Sequence, residues 1–436
     1  MIHIGMPEIY EQDGKAYLKA PVTISEDTSA AYMALSKRLR KVHWRVNENY
    51  PPVEWQQPNG GLWFSVPLDY KKYLAADRGD AFVAALLWYA MQTGSDIVSD
   101  APVSEKMLMG VNRFVVPGLC KEKDGYRRIK VSAPSTVQIY ADASGVGTGM
   151  SCGVDSLYTT KQYMKDVPDA FRLTHLAYFN MGAIFHPDTS DRKKKYTVRE
   201  FYETTDRMSL EKLQNASDVA ALTGLPILYI CSNMDSDYYR GAYGYTAVYR
   251  NCACVLALEG LFRKYYCSSA GWPDYYDPSL SEGSEHYEAL LCAGLSTESC
   301  EFILSDYASR IEKTREIADW DVAWKYLDVC FNFHNCGHCS KCYRTLLTLD
   351  LLGKADRFAP CFDLAKYKAH INQAWGWLLY TKNGNEKDDN AVFARDIYAL
   401  AKQQKRRIPP AARITQVKLQ FRGMLVKLYR LLKGYR

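Results

Sequence analysis

The stretch Gly147-Thr-Gly-Met-Ser-Cys-Gly-Val-Asp-Ser156 decides the fold of this chain. Small residues run from Ala143 to Gly149 and predict the end of a strand, and a helix is expected to begin near Val154. Such a sharp turn directs several backbone N–H groups and a helix N-terminus toward one point, which is how proteins hold phosphate oxygens. The sequence therefore predicts an anion-binding loop at the end of a strand.

This loop lacks the residue that defines the commonest nucleotide-binding loop. A Walker-type loop carries a lysine after its last glycine, whereas Val154 follows Gly153 here. An ordinary P-loop NTPase is therefore disfavoured. A turn of small residues that binds no ligand is the alternative on this motif alone.

A Ser-x-Gly-x-Asp-Ser pattern runs from Ser151 to Ser156. It resembles the PP-loop of the ATP pyrophosphatases, whose family pattern is Ser-Gly-Gly-x-Asp-Ser. The two serines, Gly153 and Asp155 match, and Cys152 stands where the family usually has its first glycine. If the backbone at Cys152 needs a positive φ, a non-glycine residue costs ~1 kcal/mol or more there.

The resemblance implies a ligand and a reaction. Enzymes of this family bind the β- and γ-phosphates of ATP and cleave the nucleotide between its α- and β-phosphates, which leaves AMP on the substrate. ATP and Mg²⁺ would then be bound by the loop residues Ser151, Cys152, Gly153, Val154, Asp155 and Ser156.

Length and composition indicate a folded protein of two or three domains. The chain has 436 residues, of which 47% are apolar and 24% charged. It shows no basic-then-apolar leader and no apolar run that approaches the ~18 residues of a membrane span. Because its thirteen cysteines are scattered apart from one cluster, we expect a cytoplasmic protein whose thiols are reduced or metal-bound.

Residues 1–130 are expected to form a separate α+β domain. Strand-like alternation occurs at Ala16–Ile24, Lys41–Val46 and Gly61–Val66, and helical spacing occurs at Asp80–Met91. Nothing in this region indicates a chemistry. We therefore expect it to select a substrate or to bind a protein partner.

Strands and helices alternate from residue 131 to residue 355. The predicted strands are Thr136–Tyr140, Leu173–Phe179 and Ile227–Cys231, and the predicted helices are Val154–Lys165, Leu210–Thr223 and Tyr245–Leu258. This order predicts an α/β domain with a parallel, Rossmann-like sheet and right-handed crossovers. Ligands of such sheets bind at the carboxyl ends of the strands, where the loop is expected to lie.

A cysteine cluster is the most specific signal in the chain. The segment Cys330-Phe-Asn-Phe-His-Asn-Cys-Gly-His-Cys-Ser-Lys-Cys342 has the spacing Cys-x5-Cys-x2-Cys-x2-Cys. Cys330, Cys336, Cys339 and Cys342 can surround a tetrahedral Zn²⁺ at S–metal distances of ~2.3 Å. Since four thiolates leave no position for water, the metal is expected to be structural. Four free thiols and an iron–sulfur cluster are the alternatives.

A zinc knuckle after a PP-loop domain is the arrangement of the 7-cyano-7-deazaguanine synthase branch of this family. The chain resembles a divergent member over about residues 135–355, with a PP-loop core of the HUP class. Tyr249-Arg250-Asn251 is similar to a helix start of that branch, Gly271-Trp-Pro-Asp274 to the segment after its fourth strand, and Arg310 with Lys313 to its basic segment.

The resemblance implies a ligase that adenylates a carboxylate or carbonyl oxygen, which a nitrogen nucleophile then attacks. Asp155 would bind Mg²⁺ or fix the loop, and the Ser156 hydroxyl would hold the leaving pyrophosphate. Arg250 and Lys313 would balance the charge that leaves the α-phosphate. The acceptor is a small molecule or a macromolecule that the sequence does not identify.

Two other functions are compatible with the sequence. PP-loop enzymes that thiolate tRNA or small molecules use ATP in the same way, and Cys152 or Cys231 would then carry a persulfide. Alternatively, the chain is a non-catalytic nucleotide-binding scaffold in a defence or surface-modification system. Release of AMP separates the enzymes from the scaffold, and a homodimer is compatible with either.

The positive charge of the chain lies in residues 402–436. This segment holds eleven Lys and Arg and no Asp or Glu; removing those eleven from the total of 55 leaves 44 basic against 49 acidic residues elsewhere. Residues 356–401 are expected to be a helical extension. The basic tail is expected to contact nucleic acid, an anionic membrane or a protein partner.

An amphipathic helix is predicted within this tail, over Thr415–Lys433. One stripe of it carries Phe421, Met424, Leu425, Leu428, Leu431 and Leu432, and the basic residues Lys418, Arg422, Lys427, Arg430 and Lys433 lie largely off that stripe. A helix that packs this stripe on its own core is the alternative to an external partner.

Overall fold

The computed structural model describes residues 1–31, 61–184, 198–239, 242–268, 276, 278–279, 283–330, 334–384 and 389–432. These residues form two compact units. The sheet unit comprises the described residues of 1–150, 162–184 and 198–307. The helical unit comprises 151–161 and the described residues from 308 onward. The predicted strand at Lys41–Val46 and the segment Gly271–Asp274 lie outside the described residues.

The strands of the described residues all lie before residue 305. They are β1 (Ile2–Ile4), β2 (Glu8–Gln12), β3 (Lys15–Ala20), β4 (Val22–Ile24), β5 (Leu62–Pro67), β6 (Ile97–Ser99), β7 (Val103–Ser104), β8 (Val131–Ser132), β9 (Ser135–Thr136), β10 (Gly145–Gly149), β11 (His175–Asn180), β12 (Ile227–Ser232), β13 (Phe262–Cys267) and β14 (Glu301–Leu304).

The helices become denser toward the end of the chain. They are α1 (Asp80–Thr93), α2 (Glu105–Gly110), α3 (Val116–Glu122), α4 (Val154–Tyr163), α5 (Val198–Thr223), α6 (Tyr243–Leu256), α7 (Glu288–Leu295), α8 (Arg310–Ile317), α9 (Asp321–Tyr326), α10 (Ser340–Leu351), α11 (Leu364–Ala369), α12 (Ile371–Thr381), α13 (Asp389–Gln403) and α14 (Ala412–Leu432). The predicted helical C-terminal region is thus confirmed.

The sheet unit is built on one eight-stranded sheet of order β14-β13-β10-β11-β12-β5-β3-β2. Strands β10 to β14 pair in parallel, whereas β5 pairs antiparallel with β12 and with β3. The predicted mixed α/β fold with parallel strands is confirmed. The sheet also crosses the boundary predicted near residue 130, because β2, β3 and β5 extend it beyond β12. A smaller sheet of order β4-β1-β6-β8 lies in the same unit.

Glycines in β10 allow aromatic side chains to pack directly on the central strand. A Cβ at Gly147 would lie 2.5 Å from the Phe262 ring and 3.0 Å from that of Tyr265. Heavy atoms do not approach so closely, so a larger residue would force β10 and β13 to shift. The small residues of Gly145–Gly149 therefore form β10, the strand that ends just before the loop.

The strand that leads into the loop is Gly145–Gly149, and the predicted strand at Thr136–Tyr140 is wrong beyond Thr136. The backbone of this segment bonds to side chains instead of to a neighbouring strand. Arg78 donates from Nη2 to the Gln138 carbonyl (3.1 Å), and the Tyr140 N–H donates to Ser299 Oγ (3.0 Å). Alternating hydrophobicity cannot reveal such side-chain anchors.

The sheet unit contains a buried cluster of two carboxylates and one guanidinium. Arg78 Nη1 lies 3.6 Å from Glu259 Oε2, and the Asp80 Oδ1 atom accepts the Ser104 N–H at 3.0 Å. All three side chains are almost fully buried. Burial raises the pKa of the Asp80 carboxyl to about 7, and burial together with the charge of Asp80 raises the pKa of Glu259 well above its usual range.

We expect the free energy of unfolding of the Asp80→Asn variant to depend less on pH than that of the wild type. Asp80 titrates near pH 4 when unfolded and near pH 7 when folded, so between these values the folded chain binds the extra proton. The free energy of unfolding of the wild type should therefore fall as the pH rises from about 4 to 7, by up to ~1.4 kcal/mol per pH unit from this group. Urea unfolding at pH 5, 6, 7 and 8 measures both slopes. Equal slopes in wild type and variant would contradict this assignment.

Candidate anion-binding loop and metal centre

The predicted loop is held by its own serine hydroxyls. Helix α4 begins at Val154, as predicted, and the Ser151 and Ser156 hydroxyl oxygens lie 3.3 Å apart. Ser151 Oγ also accepts the Gly153 N–H at 3.3 Å, and Ser156 Oγ donates to the Gly153 carbonyl at 3.2 Å. Both hydroxyls therefore stand at the start of α4, where backbone N–H groups have no partner within the helix.

Cys152 adopts a backbone conformation that is usual for glycine. Its φ is +60°, in the left-handed region, and its side chain is buried. The Cys152 carbonyl accepts the Asp328 N–H at 2.8 Å, which holds the strained residue in place. Cys152 therefore has a backbone conformation that glycine adopts without strain.

This geometry predicts an unusual order of stability for two variants. Cys152→Gly removes the left-handed strain of ~1 kcal/mol, whereas Cys152→Ala retains it, and both variants lose the buried sulfur. The free energy of unfolding of the glycine variant should therefore exceed that of the alanine variant by ~0.5–1 kcal/mol, as measured by urea unfolding. An alanine variant that is the more stable of the two would show that the loop does not hold this backbone conformation.

Helices α4 and α8 run side by side in the same direction in the helical unit. Asp155 pairs with Arg310, the Tyr158 ring lies 5.7 Å from Lys313 Nζ, and Lys161 pairs with Glu316. These contacts advance three residues at a time along both helices, so the N-terminal ends of the two helices are at the same end of the pair. A capping box between Ser309 and Glu312 fixes the start of α8.

Two cations of α8 converge on Asp155. Arg310 Nη1 lies 2.8 Å from Asp155 Oδ2, and Lys313 Nζ lies 3.7 Å from Oδ1. The Lys313 side chain is only 1% exposed. Among the described residues, the buried Arg310 Nε has no hydrogen-bond partner. A guanidinium in this position can donate to a further acceptor at the start of α4.

Lys341 and Arg344 join this basic group, although sequence reasoning did not select them. The charge of Lys341 interacts with those of Arg344, Arg310 and Asp155, and its pKa is lowered to about 8 by burial first and then by the two arginines. Arg344 and Arg310 lie over the Phe393 ring, at 4.5 and 5.2 Å. The available signal was the start of a helix at Ser340, which places Lys341 and Arg344 on one face.

Arg250, a predicted catalytic residue, lies in the sheet unit and is completely buried. Its Nη1 donates to Asp235 Oδ1 at 2.8 Å, its Nε donates to Thr246 Oγ1 at 2.7 Å, and its guanidinium lies 4.9 Å from the Tyr239 ring. Asp155, Ser156 and Lys313 are instead brought together in the helical unit. Arg250 thus makes the contacts of a structural ion pair.

The four predicted metal ligands come together in the helical unit. The sulfur atoms of Cys330, Cys336, Cys339 and Cys342 all lie within 4.8 Å of one another. Cys330 Sγ is 3.7 Å from Cys339 Sγ, and Cys336 Sγ is 3.9 Å from Cys342 Sγ. A tetrahedral site with ~2.3 Å metal–sulfur bonds has edges of about 3.8 Å, so the group can hold a metal such as zinc. The four thiolates of an iron–sulfur cluster are divided among two or more iron atoms, so as a set they span longer distances than four thiolates on one ion.

Backbone N–H groups surround these sulfur atoms. The N–H groups of Cys336, Cys339 and Cys342 point to the sulfur of the preceding ligand at 3.5, 3.3 and 3.4 Å. Gly337 has a φ of +73°, which permits the tight turn. Such donors stabilise thiolate charge. The Cys330 N–H also donates to Asp328 (3.3 Å), the residue that holds the Cys152 carbonyl, so the cysteine cluster is directly connected to the loop.

The two cysteines that a sulfur-transfer function would use are poorly suited to it. Cys152 is 1% exposed, and burial raises the pKa of the Cys231 thiol. A raised pKa disfavours the thiolate, which is the reactive form.

No protein-family model, curated protein or solved structure matches this chain. Among the described residues, no helix has the length and apolar character needed to cross a membrane.

Proposed function

We propose that the chain is an ATP pyrophosphatase of the PP-loop type, in which the loop Ser151–Ser156 binds the β- and γ-phosphates of ATP. The parallel sheet would then belong to the HUP class. The observation that carries the proposal is the convergence of Arg310 and Lys313 on Asp155 at the start of α4. A helix N-terminus and two cations at one point favour a ligand that carries several negative charges.

Asp155 supports this function by holding the two cations. Its carboxylate is already paired with Arg310 and lies near Lys313, which favours its role in fixing the loop over that of a magnesium ligand. The Ser151 and Ser156 hydroxyls stand beside the N–H groups at the start of α4 and can donate to phosphate oxygens. Mg²⁺ would accompany the nucleotide and neutralise part of its charge.

In the proposed reaction an oxygen of the acceptor attacks the α-phosphorus of ATP. The new bond forms as the bond from the α-phosphorus to its bridging oxygen breaks, and the electron pair leaves with pyrophosphate. Preorganised donors on the leaving group lower such a barrier without any nucleophile from the protein. By the resemblance described above, the acceptor oxygen belongs to a carboxylate, and a nitrogen nucleophile then displaces AMP.

The products of labelled ATP test this proposal. Purified protein is incubated with Mg·ATP labelled at the α-phosphate, together with the small-molecule fraction of a cell extract as the source of acceptor. We expect labelled AMP, and an Asp155→Ala variant that forms none while it retains the wild-type circular dichroism spectrum. Labelled ADP would contradict the proposal, and tight ATP binding without any product would favour the scaffold.

A further inference from the structure

Helix α14 packs on the helical unit by the face opposite to its apolar stripe. Ala412 is fully buried against α12, and Gly376 and Gly423 allow close approach of the two helices. A Cβ at Gly376 would lie 2.4 Å from Thr415, and one at Gly423 would lie 2.6 Å from the Tyr380 hydroxyl. The close contact fixes which side of α14 faces outward.

The outward side is an almost continuous apolar surface, which we call the apolar stripe. It is formed by Phe421, Met424, Leu425, Leu428, Leu431 and Leu432, whose side chains are 49–78% exposed. An exposed apolar surface of this extent marks an interaction site. The alternative that the stripe packs on its own core is wrong, since the helix packs by its other face.

Exposed basic residues border the stripe. With 3.6 residues per turn, Lys418 and Arg422 lie along one edge and Arg413 along the other. The whole segment 402–436 contains eleven basic and no acidic residues. The partner of this surface therefore presents apolar groups with negative charge around them.

We propose that α14 lies on an anionic lipid surface, with the apolar stripe in the acyl boundary and the bordering cations at the headgroups. RNA would leave the apolar stripe uncovered. A second copy of the chain would bring two cationic borders together, which repel. A planar anionic surface offers negative charge to the basic residues on both edges of the helix. Their long side chains can reach the headgroups while the apolar stripe lies among the acyl chains.

Vesicle flotation with the full chain tests the proposal. We expect the wild type to float with phosphatidylcholine vesicles that contain 30% phosphatidylserine, and at least tenfold less with phosphatidylcholine alone. Leu425→Gln/Leu428→Gln should lose at least tenfold in binding. In the Lys418→Gln/Arg422→Gln variant, vesicle binding should fall about fivefold for each residue replaced, and by more at low salt. The matched control is Leu210→Gln/Leu222→Gln, which changes two leucines of α5 that are 53% and 55% exposed and should float as the wild type does.

Several outcomes would overturn this inference. Wild type that stays unbound at 30% phosphatidylserine would do so, as would equal flotation of the stripe variant and the wild type. A stripe variant that abolishes dimers in sedimentation velocity, while neither protein floats, would assign the stripe to a second copy. If the wild type binds RNA but not vesicles, and the Lys418→Gln/Arg422→Gln variant loses RNA binding, the surface of α14 would be assigned to nucleic acid.

Discussion

Replacing Cys339 by serine should abolish metal binding and destabilise the helical unit. Cys339 supplies one of four sulfur atoms and caps the start of α10, where it accepts the Cys342 N–H. Structural zinc contributes ~10–16 kcal/mol of apparent binding free energy in small zinc domains, and this energy is part of the folding energy. We expect the free energy of unfolding to fall by at least ~3 kcal/mol, measured by urea unfolding.

Metal content gives the direct measurement. Wild type should contain about one zinc per chain by mass spectrometry of the metal, and Cys339→Ser should contain almost none. Cys361→Ser is the matched control, because Cys361 lies in the same unit but outside the ligand group. A full zinc complement in Cys339→Ser, or metal loss in Cys361→Ser, would contradict the assignment. An iron content with visible absorption would favour the iron–sulfur alternative.

Loss of the metal should also weaken the loop. The Asp328 side chain accepts the Cys330 N–H, and the Asp328 N–H holds the Cys152 carbonyl. Lys341 lies between the two ligands Cys339 and Cys342. A metal held by these four cysteines would therefore position Cys152 through Asp328, and Lys341 through the chain.

Local patterns predicted the parts of the site that lie close together in sequence. The start of α4 at Val154 and the grouping of the four cysteines depend on residues within a few positions of each other, and the structure has both. The pairing of Asp155 with Arg310 joins positions 155 residues apart. Arg310 and Lys313 were predicted as anion partners from the segment that carries them, but no periodicity indicates which distant helix will lie beside α4.

The features that the sequence did not reveal have different physical causes. Thr136–Tyr140 has strand-like alternation, but Arg78 and Ser299 bond to its backbone. The amphipathic pattern of α14 was visible, whereas the choice of its packed face was not, since Gly376 and Gly423 permit a close contact on the less apolar side. Arg250 has the charge of a phosphate ligand, and in the structure it pairs with Asp235; its proposed role in the reaction stays a prediction.

Replacing Arg310 by glutamine should weaken binding of ATP but not of AMP. In the proposed complex the guanidinium faces the β- and γ-phosphates, which AMP lacks, and a charged hydrogen bond to phosphate contributes ~1.5–3 kcal/mol. We expect ATP affinity to fall about tenfold or more, AMP affinity to stay within twofold, and AMP formation to fall ~10²-fold. Isothermal titration with each nucleotide measures the first two quantities.

Arg315→Gln is the matched control, since Arg315 lies on the same helix and is exposed. It should bind ATP and AMP as the wild type does. Because Arg310 also pairs with Asp155, the zinc content and unfolding midpoint of Arg310→Gln must be compared with those of the wild type. A folded Arg310→Gln protein that binds ATP as well as Arg315→Gln would place the phosphates elsewhere. Equal losses for ATP and AMP would mean that Arg310 acts on the loop as a whole rather than on the β- and γ-phosphates.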